Sequence, residues 1–66
     1  MKVETEIEDD GRWIAEIPTL PGAMAYGATK KEAIAKVEAL VLRALAVKIE
    51  HGEDPPEVSH VFTVAA

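Results

Sequence analysis

The chain has no cysteine, which removes disulfide frameworks, thiolate nucleophiles and cysteine-based zinc sites together. That absence fits a reducing compartment, with the cytoplasm as the default. No apolar run approaches the roughly 18 residues of a membrane span, and Lys2 is the only charge ahead of a run rich in Glu. Neither a membrane helix nor a signal peptide is expected. Basic charge is scarce: 12 acidic residues stand against 7 basic ones, for a formal charge of −5. Residues 1 to 28 carry six acids against Lys2 and Arg12, residues 29 to 51 carry five bases against three acids, and Glu53, Asp54 and Glu57 make the end acidic again. Such a surface repels phosphate, so direct nucleic-acid binding is disfavoured, while a basic protein partner suits the acidic N-terminal part. The plain alternative is that the acids keep a small apolar domain in solution.

Catalytic groupings are as thin as the cysteine content. Asp9 and Asp10 are adjacent carboxylates at a hairpin tip, where Asp serves turn geometry, and metal catalysis needs further acids from other strands. His51 falls in the last helical turn and His60 beside apolar neighbours, with no ligand spacing between them. Ser59 lacks a G-x-S-x-G elbow, and Pro21-Gly22 with the lone Gly27 does not make a phosphate-binding loop. The sequence is therefore read as a non-enzyme without cofactor or metal. A minimal metal-dependent nuclease is disfavoured because the carboxylates lie on turns and wet faces. At 66 residues the chain is expected to form one domain, 1–66, that buries only about 60% of its unfolded surface, which argues against a deep enclosed site. Repeats, linkers and low-complexity tracts are missing as well.

What is present is a regular succession of patterns. From Lys2 to Glu8, Val3, Thr5 and Ile7 alternate with charged residues, as in a strand with one wet face. Asp10-Gly11 marks a hairpin turn of positive φ. A second strand from Arg12 to Ile17 puts Trp13, Ala15 and Ile17 on one face and Arg12, Ile14 and Glu16 on the other, and Pro18 ends it. Leu20-Pro21-Gly22 reads as a turn, with Pro setting the first corner and Gly the second, followed by a short strand from Ala23 to Tyr26. Thr29-Lys30-Lys31-Glu32 has the T-x-x-E spacing of a capping box, in which the Thr hydroxyl takes an orphan amide and Glu reaches back. The helix it starts runs to about Glu50, stopped by His51-Gly52 and Pro55-Pro56. Glu57 to Val64 then alternates as a last strand, placed most simply parallel to the first. The expected fold class is α+β: a two-layer β-β-β-α-β sandwich with one mainly antiparallel sheet and one long helix on one face.

The helix is more apolar than one small sheet requires. Ile34, Val37, Val41, Ala44 and Leu45 form the stripe expected to face the sheet, with Leu40 and Val47 widening it on one side and Leu42 and Ile49 on the other. An arc of roughly 200° exceeds the roughly 100° that a sheet face covers. A two-fold homodimer through one of these flanks and the exposed sheet edge is the expected state.

One segment carries a more specific signal. Glu8-Asp9-Asp10-Gly11, Pro18-Thr19-Leu20-Pro21-Gly22 and Gly27-Ala28-Thr29-Lys30-Lys31-Glu32-Ala33, followed by a long amphipathic helix, stand in the order and spacing of a known signature. That signature is an acidic hairpin, a Pro-x-Leu-Pro-Gly turn and a Gly-x-Thr-x-x-Glu-Ala helix start. The sequence resembles the N-terminal domain of HicB-like antitoxins over about Val3 to Val64. The resemblance implies a partly RNase-H-like fold without that enzyme's carboxylate set. It also implies a role in binding a small basic RNase toxin, HicA, and masking its active site. For such binding the candidates are Glu6, Glu8, Asp9, Asp10 and Glu16, with Trp13 as an apolar anchor. Ala23 stands where many relatives have Cys, and a single domain without a DNA-binding domain is expected, so operator binding is not carried over. The competing reading is an orphan regulatory or structural module with another protein partner.

Overall fold

The computed structural model describes residues 1–65. Three strands, β1 (Glu4–Ile7), β2 (Trp13–Glu16) and β3 (Met24–Gly27), precede one helix, α1 (Lys30–Glu50), and a short 3₁₀ turn (Pro56–His60). The sheet is antiparallel in the order β1-β2-β3, so each strand pairs with its neighbour in sequence. The helix packs on one face, over β2 and β3 far more than β1. This is the expected α+β arrangement of a sheet with one long helix on one face.

The first hairpin closes differently from the Asp10-Gly11 reading. Its corners are Asp9 and Asp10, Gly11 N–H donates to the Glu8 carbonyl (2.9 Å), and Glu8 N–H donates to the Arg12 carbonyl (2.7 Å). Only Gly11 takes positive φ, at 88°. A three-residue loop ending in a left-handed glycine matches the strand twist without forcing Asp10 out of its own allowed region.

The bend after β2 is two turns in series. Leu20 N–H donates to the Ile17 carbonyl across Pro18-Thr19, and Ala23 N–H donates to the Leu20 carbonyl across Pro21-Gly22. Ile17 N–H reaches the Ala23 carbonyl at 2.9 Å and closes the base. The bend is therefore held by its own backbone hydrogen bonds and hands the chain into β3.

Gly27 and Ala33 set the helix against the sheet. A Cβ built on Gly27 would lie 2.6 Å from the Ala33 amide nitrogen and 3.0 Å from the Ala33 Cα. The helix start thus rests directly on the end of β3. Thr29 caps it, its Oγ1 accepting from Glu32 N–H at 3.1 Å. Half of the expected box forms: Glu32 turns forward to Lys36 Nζ at 2.9 Å, one helical turn on. At the other end Gly52 N–H donates to Ile49 and Glu53 N–H to Lys48, a left-handed glycine stop with Gly52 at φ 84°.

The core consists of Ala15, Ile17, Ala33, Val37, Val41 and Leu45, bordered by Val3, Trp13, Leu20, Ala23, Ala25 and Ile34. Of the five residues expected on the buried stripe, Val37, Val41 and Leu45 are buried, Ile34 is half-buried at the core's border and Ala44 is exposed, while Ala33 is fully buried. The close approach at Gly27 turns Ala33 inward. By Ala44 the four-residue strands have ended beneath the helix. A 21-residue helix is about 31 Å long against about 13 Å for such strands, so it runs past their ends, where the bend still lies beside Val41 and Leu45 and the last turns overhang. The molecule accordingly measures 49 × 22 × 17 Å.

The last strand, expected over Glu57 to Val64 and beside the first, is not formed. Pro55 leads in an extended conformation into Pro56 at the first position of the 3₁₀ turn, where the missing N–H costs nothing. Ser59 Oγ donates to the Pro56 carbonyl at 2.8 Å, and Val61 and Phe62 amides donate to Val58. Because the helix overhangs, the returning chain meets the helix flank before any sheet edge. Val58, Val61 and Phe62 line a hollow there with Leu42, Leu45, Ala46 and Ile49. Both sheet edges, β1 and β3, are left unpaired among the described residues.

Candidate functional site

The sheet face turned away from the helix is the surface with the most chemistry. Directly paired residues share a face, and the register stacks them in two rows: Glu4, Glu16 and Met24 in one, Glu6, Ile14 and Tyr26 in the other. Across the sheet the face grades from carboxylates on β1 to apolar groups on β3. Met24 and Tyr26 are 43% and 41% exposed, and Ile14 sits half-buried between them and the acids. A shallow depression lined by Lys2, Glu4, Thr5, Glu6, Ile14 and Glu16 occupies the acidic half.

Glu4 lies directly opposite Glu16, an arrangement that repels. The ion pairs among the described residues are Asp10–Arg12 and Glu32–Lys36, so Glu4, Glu6 and Glu16 form no direct ion pair there, although Lys2 lines the same depression. Their charge faces solvent, where a cationic partner would relieve the repulsion.

The hairpin tip plays a different part. Asp10 Oδ1 accepts from Arg12 N–H (3.1 Å) and Oδ2 from Arg12 Nε (2.7 Å). The Arg12 backbone amide, with its side chain adding to it, holds the Asp10 carboxyl below its ordinary range. The guanidinium carbon of Arg12 also lies 4.5 Å from the centre of the Tyr26 ring, a cation–π distance. Asp10, Arg12 and Tyr26 form a short chain of contacts from the tip to the apolar half of the face.

The residues expected to bind a partner are thus distributed over three places. Glu6 and Glu16 share the outer face; Glu8, half-buried, leads to Asp9 and Asp10 at the tip. Trp13 is on the opposite side, packed half-buried against the core, and does not join the carboxylates. The apolar members of the face, Ile14, Met24 and Tyr26, were missed as a group. Their signal was an apolar residue alternating with Arg12 and Glu16, and large side chains two apart in the third strand. Among the described residues no three His, Asp or Glu side chains come close enough together to hold a metal ion.

Leu40, Leu42, Val47 and Ile49, expected at a subunit contact, are all exposed, between 38% and 55%. They belong to two separate flanks, about 160° apart around the helix. Beside the Leu40 flank, Leu20, Pro21, Gly22 and Ala23 of the bend form one wall of an open cleft of about 290 Å³ with Leu40, Val41, Ala44 and Leu45. Lys48 and Glu57 also line it. No helix is long and apolar enough to cross a membrane among the described residues. No protein family model matches the chain, and no curated protein or solved structure matches it either.

Proposed function

We propose that the chain is a HicB-like, antitoxin-type binding module that neutralises a small basic RNase toxin of the HicA type by covering its active site. The observation that carries this reading is the bare outer sheet face, with three carboxylates that have no internal ion pair beside an apolar patch of Ile14, Met24 and Tyr26. A nuclease that handles RNA presents cations around its active site. A face of this composition complements such a surface in charge at its acidic half and in apolar contact at the other. The motif order from Glu8 to Ala33 supports the same reading. The bend at Pro18 to Gly22 serves it indirectly, by holding β3 in register so that Met24 and Tyr26 line up with Glu16 and Ile14.

Co-expression with a HicA-type toxin encoded beside this chain tests the reading. Growth arrest and RNA cleavage are expected to be relieved by the wild type, and relief is expected to be lost with Glu6→Lys combined with Glu16→Lys. Asp10→Asn is expected to weaken relief less, because Asp10 is already engaged by Arg12. Persistent RNA cleavage with both proteins abundant would refute neutralisation and leave the module to another protein partner.

A further inference from the structure

The free edge of β1 carries backbone groups that the sheet itself leaves without a strand partner. Glu8 N–H donates to the Arg12 carbonyl at 2.7 Å, and in an antiparallel ladder bonded pairs alternate with unbonded ones. Glu4 and Glu6 therefore turn their amides and carbonyls toward β2, while Thr5 and Ile7 turn theirs outward. The β3 edge is less open, because Met24 N–H is already engaged with the Gly22 carbonyl at 3.0 Å.

The two sides of the β1 edge differ in chemistry. The outer side bears the Glu4 and Glu6 carboxylates, with Lys2 in the same depression. On the inner side α1 lies mainly over β2 and β3, which leaves Ile7 55% exposed. Met1, Val3 and Ile17 there line a hollow of about 330 Å³ with Glu38, Val41 and Leu42 of the helix. Its one charged side chain is again a carboxylate without an ion pair among the described residues.

We propose that the β1 edge takes up an extended segment of a partner protein as a fourth strand, in which Lys or Arg residues alternate with apolar ones. The outward groups of Thr5 and Ile7 select a strand, since only an extended backbone presents matching donors and acceptors at that spacing. Alternation follows because successive side chains of an added strand fall on opposite faces, one set beside Glu4 and Glu6 and the other toward the hollow at Val3. Charged side chains on an edge deter indiscriminate pairing, and here they discriminate by sign. They repel an acidic strand and crowd a neutral one, whereas a basic strand relieves the repulsion between Glu4 and Glu16. The chain's own stretch from Glu57 to Val64 has a carboxylate and no Lys or Arg, so it does not supply the cations that this edge selects. Nothing in this requires the antitoxin reading, because a segment of this kind can belong to any protein partner.

Hydrogen exchange followed by NMR on the full chain, with an octapeptide of alternating arginine and valine as the probe, tests the proposal. The Thr5 and Ile7 amides are expected to exchange fast in the free chain and to slow by at least about tenfold with the peptide bound, while Tyr26 on the β3 edge is unchanged. Methylating one alternate set of peptide amides is expected to abolish binding and methylating the other to be tolerated, because only one set faces the ladder. Thr5→Pro removes an outward amide and leaves the β1–β2 ladder whole. That variant, and Glu4→Gln combined with Glu6→Gln, are each expected to weaken peptide binding by at least about fivefold, with circular dichroism verifying the fold of both. A peptide of the same composition with its arginines and valines in separate blocks is expected to bind more weakly than the alternating one. Equal binding of the block peptide, tolerance of both methylations, or no binding at millimolar peptide would overturn the proposal. So would slow exchange at Thr5 and Ile7 in the free chain, the sign that residues 57–64 or a second copy already pair there. No toxin enters these measurements, so a failure to relieve toxicity leaves their outcome untouched.

Discussion

Replacing Gly27 by Ala probes the contact on which the sheet and helix are joined. Gly27 does not take positive φ, so its role is space and not backbone freedom. The three nearest atoms to an added Cβ are Ala33 N at 2.6 Å, Ala33 Cα at 3.0 Å and Glu32 C at 3.0 Å, all backbone. No side chain can swing aside; the first turn of the helix has to move as a unit, carrying Ala33 and Val37 out of the core. Overpacking of this kind costs about 1–3 kcal/mol, offset by about 0.4–1 kcal/mol from the stiffer unfolded chain. A 2.6 Å clash with backbone puts the cost at about 2–3 kcal/mol, so the net loss is about 1–2.6 kcal/mol, a large share of the about 3–10 kcal/mol expected for a chain this size, and Tm falls by about 5–20 °C. Urea and thermal unfolding followed by Trp13 fluorescence and helical circular dichroism, at one protein concentration, measure it. Gly22→Ala is the comparison: its φ is 81° with nothing within 4 Å of the added Cβ. That loss comes from backbone conformation, so Gly22→Asn is expected to recover part of it, and Gly27→Asn to recover nothing. Because the clash is with backbone, Ala33→Gly does not rescue Gly27→Ala. A Gly27→Ala variant within about 0.5 kcal/mol of wild type, or rescue by Ala33→Gly, would refute the reasoning.

Two further outcomes follow from the helix start and the charged pairs. Thr29→Ala removes the oxygen that accepts from Glu32 N–H and is expected to cost about 0.5–2 kcal/mol in urea unfolding, with Thr29→Ser close to wild type. The Asp10 carboxyl is held low by the Arg12 amide, and the Glu32 carboxyl by its hydrogen bond to Lys36. A carboxyl lowered in the folded state contributes stability that is present above its unfolded value and lost as pH falls through the folded one. Stability is therefore expected to decline as pH drops below about 4. Asp10→Asn and Glu32→Gln are expected to flatten that decline, and carboxyl NMR titration to show both groups ionising below their ordinary values.

Legibility in the sequence followed how locally each feature is determined. Gly11, Thr29 and Gly52 act on residues within a few positions, and the hairpin, helix start and helix stop all appear where their chemistry predicts. The stretch from Glu57 to Val64 alternates like a strand, but alternation reports only that one side is apolar. What that side meets is set by the helix overhang, and Pro55-Pro56 with Ser59 favours a 3₁₀ turn against the flank. The expected stripe holds at Val37, Val41 and Leu45 but omits Ala33, since the depth of the Gly27 contact is a property of two elements together. In the candidate site, Glu6 and Glu16 are expected from the sequence whereas Glu4 is not, and the rows that set Glu4 opposite Glu16 and Glu6 beside Ile14 and Tyr26 depend on the register of three strands. The separation of Trp13 from those acids follows from period-two alternation and was readable in advance.

The order β1-β2-β3 also bears on how quickly the chain reaches its fold. Each strand finds its partner across a single short connection, Ile7 to Trp13 or Glu16 to Met24, so the entropy lost in closing each pairing is small. A parallel strand beside β1 at the C-terminal end would have required a loop of about 50 residues to close before the sheet was complete. Without it, the slowest obligatory encounter is the docking of a locally formed helix onto a locally formed sheet, at modest sequence separation. With local strand pairing and one non-local docking step, a single exponential refolding phase, faster than in sheets joined end to end, is the expected behaviour.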